Sequence, residues 1–208
     1  MFFSCHEPNR RLPGMNETCF EERMKNLAGH ILILTGPPGS GKSTAAELLV
    51  TASGIPAVHL HSDDFWHYIK SGLIQPFLPE AHAQNETVIK VLAGVAEGYA
   101  EGGFFVVVDG IIGPWFLQPF RKVTAPLHYI VLRPLLDEAI ERCRLRGGNT
   151  LTDPGPISAL HQQFSSLGDL ENHAIDMAGL NRAQTLEAIK AALLDSRYYL
   201  ESSLVKTS

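Results

Sequence analysis

The sequence of 208 residues predicts an α/β domain built around a parallel sheet, and three observations carry that expectation. Strand-like runs alternate with helical stretches from residue 31 onward, the pattern of successive βαβ units. The most hydrophobic run, Phe104-Phe105-Val106-Val107-Val108, is continuous rather than alternating, which marks a strand buried on both faces. A third run, Ile31-Leu32-Ile33-Leu34-Thr35, passes through a glycine-rich turn into a helix-forming stretch, 45–50. Right-handed crossovers in such a sheet gather the C-terminal ends of all strands, and the loops after them, on one edge.

Taken in order, residues 1–26 begin Met-Phe-Phe-Ser-Cys-His-Glu-Pro and then turn polar. They lack the apolar stretch of about 7–15 residues that a secretory signal needs. They read as a poorly ordered leader, with Met15 and Met24 as alternative starts, ahead of a single domain over 27–208. After the first strand and its helix, 55–61 reads as a second strand ending on Ser62-Asp63-Asp64-Phe65-Trp66. Helical periodicity over 86–98 places Val88, Leu92, Val95 and Ala96 on one face. Gly102-Gly103 then breaks the chain before the third strand, 104–108, which closes on Asp109-Gly110. A loop with Pro114-Trp115-Phe116 leads to a fourth strand, 127–132, and Arg133-Pro134 ends it. The helix over 135–146 stops at Gly147-Gly148. Residues 149–170 are loop-rich with a short helix near 156–165, a small helical lid spanning about 147–170. A short fifth strand, 173–175, ends at Asp176, and a last helix covers 182–194.

Composition narrows the function classes. A 45% hydrophobic and 19% charged chain is that of a soluble globular protein, and no stretch is long and apolar enough to span a membrane. Cys5, Cys19 and Cys143 are odd in number and lack metal-ligand spacing, which suits reduced thiols in a cytoplasmic protein. A net charge of −5 argues against a nucleic-acid partner, because binding a phosphate backbone wants a basic face.

The stretch Gly36-Pro37-Pro38-Gly39-Ser40-Gly41-Lys42-Ser43-Thr44 fits G-x-x-x-x-G-K-[ST] between a strand and a helix, the context that gives the pattern meaning. Gly36, Gly39 and Gly41 let the backbone curl so that successive N–H groups can face an anion. The helix beginning near Lys42 adds its unpaired N-terminal donors. Lys42 would reach the β- and γ-phosphates and the Ser43 hydroxyl would ligate Mg²⁺.

Further candidates stand at strand ends. Asp63 and Asp64 follow the second strand, where a carboxylate can orient an acceptor hydroxyl and take its proton; an Asp pair there can equally cap the next helix. Asp109 closes the third strand as the acidic residue that supports a metal directly or through water, or else as a turn residue in Asp-Gly. Arg142 and Arg146, four apart, share a helix face that Arg144 does not. They can clamp a transferring phosphoryl group, or simply complement the helix C-terminus; Arg133 is a weaker candidate. Phe65, Trp66, Tyr68, Trp115 and Phe116 lie in two loops and serve either an apolar acceptor pocket or the core. His59 and His61 alternate on one strand face without the partners a metal site would need.

With these residues assembled, the chain resembles the P-loop small-molecule kinase group of an AAA-type ATP-binding family. Gluconate and shikimate kinases, chloramphenicol phosphotransferase, zeta-type toxins and polynucleotide kinases are of this kind. The resemblance covers about residues 30–195 and implies the three-layer P-loop NTPase fold, with five parallel strands in the order 2-3-1-4-5. In relatives the first Asp of a motif like Ser62-Asp63-Asp64-Phe65 is the base, which puts Asp63 ahead of Asp64. The pattern Arg142-x-x-x-Arg146-Gly147 is similar to a lid whose final arginine meets the transferring phosphate. Where polynucleotide kinases and zeta-type toxins carry a basic residue after the acidic motif, this chain has Trp66-His67, which favours a neutral or aromatic acceptor. No N-K-x-D guanine motif is present, so ATP is favoured, with its adenine near 176–182. The expected activity is ATP- and Mg²⁺-dependent phosphoryl transfer to a hydroxyl of a small molecule. Sugar, antibiotic, nucleoside and nucleoside monophosphate are all compatible acceptors. The alternatives are an ATP-hydrolysing switch with a macromolecular partner and a nucleic-acid end kinase.

Overall fold

A computed structural model describes residues 24–147 and 151–201. Most of the expected leader lies outside the described residues, as do positions 148–150 of the expected lid. Strands β1 (Ile31–Thr35), β2 (Ala57–His61), β3 (Phe105–Gly110), β4 (Leu127–Arg133) and β5 (Ala174–Asp176) form a parallel sheet in the order β2-β3-β1-β4-β5. That is the expected order, with one addition. A two-residue strand β6 (Tyr199–Leu200) pairs antiparallel with the first residues of β4, so the sheet has six strands rather than five.

The central strands are buried on both faces because each face is covered by helices. Ile31, Ile33, Val106, Val108, Tyr129 and Val131 point to one side, where they meet Ile89, Leu92 and Ala96 of helix α3 (His82–Glu101). Leu32, Leu34, Val107, Ile130 and Leu132 point to the other. There they meet Leu49 of α1 (Lys42–Thr51) and Ile189 of α6 (Arg182–Leu193). Met24 and Leu27, just ahead of β1, pack into this second layer. Period-two alternation between two apolar layers is why these strands read as unbroken hydrophobic runs.

Three further helices shape the sheet's C-terminal edge: α2 (Ser62–His67), α4 (Leu136–Arg146) and α5 (Pro154–Gln163). Helix α2 starts directly at the end of β2, with no intervening loop. Gly110 allows this, since a Cβ there would overlap the Ser62 hydroxyl. Among the described residues, no helix is long and apolar enough to cross a membrane.

At the opposite edge of the sheet two imidazoles share a hydrogen bond, His30 Nδ1 to His128 Nε2 at 3.0 Å, and the Tyr199 ring stands edge-on to His128. His128 is 5% exposed. Burial, reinforced by His30, lowers its pKa to about 4, and burial lowers that of His30 as well. An unfolded histidine titrates near 6.5, so on acidification the unfolded chain takes up protons that the folded chain refuses. Stability is therefore full above about pH 6.5 and is lost as the pH falls towards 4, by about 3 kcal/mol for His128. Urea unfolding at a series of pH values is expected to show this slope, flattened in His128→Gln. An equal slope in both proteins would refute it.

Candidate functional site

The loop after β1 is pressed into its curl by its neighbours. Gly36 (φ +150) and Gly39 (φ +76) adopt backbone angles closed to other residues. A Cβ on them would lie 2.3 Å from the carbonyl oxygens of Leu132 in β4 and Ala139 in α4, respectively. Helix α1 begins at Gly41 with no side-chain cap and no acidic residue in its first turn. Its leading N–H groups are thus left for an external anion. Lys42 lies half-buried across the loop and donates to the Pro37 carbonyl at 3.3 Å. Burial lowers the pKa of its ammonium, the charges of Asp109 and Asp63 oppose that, and Arg146 adds to it.

That electrostatic set answers how the expected residues assemble. Asp63, Asp109 and Arg146 come from α2, β3 and α4, and all three act on Lys42. Asp64 is not among the charges that do. Asp63 and Asp64 stand in the first turn of α2, whose N-cap is His61, and neither caps it. The Asp63 carboxylate is exposed. Arg142 donates to Glu138 at 2.9 Å and to the Gly39 carbonyl at 3.4 Å, bracing the loop from α4. Arg144 turns outward onto Glu141, and Arg133 bonds Glu171 at 2.6 Å.

Asp109 is wholly buried. Its Oδ2 accepts from the Ser43 hydroxyl at 2.5 Å and its Oδ1 from His59 Nε2 at 2.7 Å, with His61 Nδ1 at 3.4 Å. Burial alone would raise its pKa, but the bonds from His59 and Ser43 and the charge of His61 hold it below the usual carboxylate range. The bond to Asp109 raises the pKa of His59, whose Nδ1 meets Glu47 of α1 at 3.2 Å. The roles of His59 and Glu47 were missed from the sequence. The usable signal was the spacing of His59 and His61 on β2, since the order 2-3-1 puts that strand beside Asp109.

A cleft of about 620 Å³ opens over Gly39–Gly41 and the start of α1. Its walls are Arg142 and Arg146 on one side and Met177, Leu180 and Asn181 on the other. It therefore includes the segment expected to meet the adenine. The aromatic residues divide. Trp66 belongs to the core, its indole N–H bonded to Asn85 at 2.8 Å, and Phe65 and Phe116 pack against that core. Trp115 stands edge-on to Phe164, and Tyr68 is 67% exposed. Tyr68 opens a segment in which Leu73, Ile74, Phe77 and Leu78 are also exposed. Gln84 and Asn85 of α3 pin that segment's backbone by bonds to Ile74 and Pro76.

A family profile described as AAA domain matches residues 32–155. An adenylate kinase of Orientia tsutsugamushi (strain Boryong) is 29% identical over 138 residues, 61% of this chain and 61% of its own length. The aligned part thus spans about three fifths of that relative. A cytidylate kinase of Pyrobaculum aerophilum is 27% identical over 154 residues, 73% of this chain and 79% of its own. Among solved structures, the tunicamycin resistance protein of Deinococcus radiodurans superposes with a TM-score of 0.61. That match has 19% identity and covers 79% of this chain and 95% of that one.

Proposed function

The chain belongs to the AAA domain family and has a P-loop kinase fold, and on that premise we propose that it transfers the terminal phosphoryl group of ATP to a hydroxyl of a small molecule. The observation that supports this reading is the cleft over the phosphate loop, walled by Arg146, with Asp63 and Arg146, from separate helices, both near enough for their charges to act on Lys42. Phosphoryl transfer asks for positioning and charge stabilisation more than covalent chemistry. In this reading Lys42 and the backbone N–H groups of the loop and the first turn of α1, to which Pro37 and Pro38 contribute none, hold the β- and γ-phosphates. Asp63 orients the acceptor hydroxyl and takes its proton. Arg146 spreads its charge over the transferring group, with Arg142 bracing the loop beneath it.

The donor set suits magnesium, because Ser43 and Asp109 offer hard oxygens and Ser43 has already committed its hydrogen to Asp109. Ser43 would hold the ion with support from Asp109, and bound Mg²⁺ would neutralise charge on the β- and γ-phosphates.

Between Ser43 and Phe120 the chain contains no arginine, and its lysines there are Lys70 and Lys90. An acceptor carrying its own phosphate would find few clamps on that side, which supports a neutral one. The exposed apolar segment from Tyr68 to Leu78 fits the same preference. A nucleotide acceptor, which the names of the curated relatives favour, is the rival. ADP release by the purified protein, measured against sugars, aromatic alcohols, nucleosides, AMP and CMP, separates the two. Stimulation by a compound lacking phosphate is expected. Stimulation by AMP or CMP alone, or release indifferent to every acceptor, would overturn the reading.

A further inference from the structure

We propose that His59 is a positioning residue of the nucleotide site, holding Asp109 so that Ser43 presents its oxygen to the cation carried by the nucleotide. The proposal rests on the reading that a magnesium–nucleotide complex binds at the loop. Its basis is a closed circuit of hydrogen bonds. Ser43 on α1 donates to Asp109 on β3, His59 on β2 donates to the same carboxylate, and the other nitrogen of His59 reaches Glu47, back on α1. Ser43 and Glu47 are four residues apart and share one face of that helix. The circuit therefore sets the register of the phosphate-binding helix against two strands.

Each member has its hydrogens assigned by chemistry. An ionised carboxylate only accepts, so His59 is the donor to Asp109 through Nε2, and its Nδ1 lies toward Glu47. Both oxygens of Asp109 are then engaged, Oδ1 by His59 and Oδ2 by Ser43. A hydroxyl has one hydrogen and two lone pairs. With the hydrogen fixed on Oδ2, the lone pairs of Ser43 stay available to a cation. Without His59 the Asp109 carboxylate can turn about its Cβ–Cγ bond, and the Ser43 hydroxyl loses its fixed acceptor. Asp109 thus acts on the cation through Ser43, and His59 through Asp109.

The test measures binding of a fluorescent ATP analogue, mant-ATP, to the full chain at one pH, in excess EDTA and in saturating Mg²⁺. The gain in affinity due to Mg²⁺ is expected to fall about tenfold in His59→Leu, as for residues supporting a metal ligand, with affinity in EDTA held within about twofold. His59→Asn, too short to span the two carboxylates, should lose the same gain and serves if the leucine variant does not fold. His59→Gln, whose amide can still donate to Asp109, should recover most of it. In a Ser43→Ala background the loss of His59 should add nothing, because its route to the cation runs through Ser43. An unchanged Mg²⁺ gain, an equal loss in EDTA, or additivity with Ser43→Ala would overturn the proposal. These readouts need no acceptor, so a failure of the transfer reading would leave them intact and is recognised separately by the ADP-release screen.

Discussion

Lys42→Ala is expected to lower turnover by about a thousandfold or more, while folding is retained. In the folded chain the ammonium is partly withdrawn from water, and burial weighs against its charge. Asp109 and Asp63 offset part of that cost, so its removal should change stability by no more than about 1 kcal/mol in either direction. Catalysis has no such compensation, because Arg146 is already committed to the transferring group and cannot also fill the place of Lys42 at the loop. Lys42→Arg should not rescue, because a rigid planar fork cannot take the place of a compact charge on a flexible stem. Steady-state ADP release at saturating ATP, together with urea unfolding, checks both halves. Turnover near the wild-type level in Lys42→Ala would remove this residue from the reaction.

Asp63→Asn should lower phosphoryl transfer by about 10²–10⁴-fold, the range for loss of a positioned general base, and leave the nucleotide affinity within about threefold. The substitution keeps the side chain's shape and removes its charge and basicity. Asp63 caps nothing and stands exposed in the first turn of α2, so the structural cost is its favourable interaction with the helix N-terminus, about 0.3–1 kcal/mol, together with its share in offsetting the burial of Lys42. Asp64→Asn is the matched control, carrying the same helix-end penalty, and should change transfer by less than about fivefold. Mant-ATP titration and transfer to the best acceptor from the screen give the two measurements. Intact transfer in Asp63→Asn, or an equal loss in Asp64→Asn, would show the base to be wrongly assigned.

The strands and the phosphate loop were legible in the chain because each is written in contiguous residues, whereas the order of the strands followed from the family resemblance. A strand packed on both faces must be apolar at every position, as 105–108 is, and the glycines at 36 and 39 mark the loop by pattern although the contacts that require them, with Leu132 and Ala139, lie far along the chain. Element ends were less legible. The helix expected over 86–98 extends to His82–Glu101, because its first turn is polar and contributes Gln84 and Asn85 to a neighbouring segment rather than to the apolar face. The strand at Tyr199–Leu200 is too short to leave any periodicity. The ties of His59 to Asp109 and Glu47 could not be seen from spacing alone, since they cross 50 and 12 positions of sequence and depend on which strands become neighbours. The aromatic residues show the same limit. Trp66 and Tyr68 are two apart, yet one is a core residue with a bonded indole and the other faces solvent, a difference set by Asn85 on another helix.

On the side of β4 away from β1, three residues of β5 run parallel to it and two residues of β6 run antiparallel. The outermost row of main-chain groups there is broken into two short pieces of opposite polarity. A stray strand from another molecule would have to satisfy both directions at once to extend the ladder. By that interruption, with the exposed Asp176 ending the β5 piece, the margin is blunted against runaway self-association.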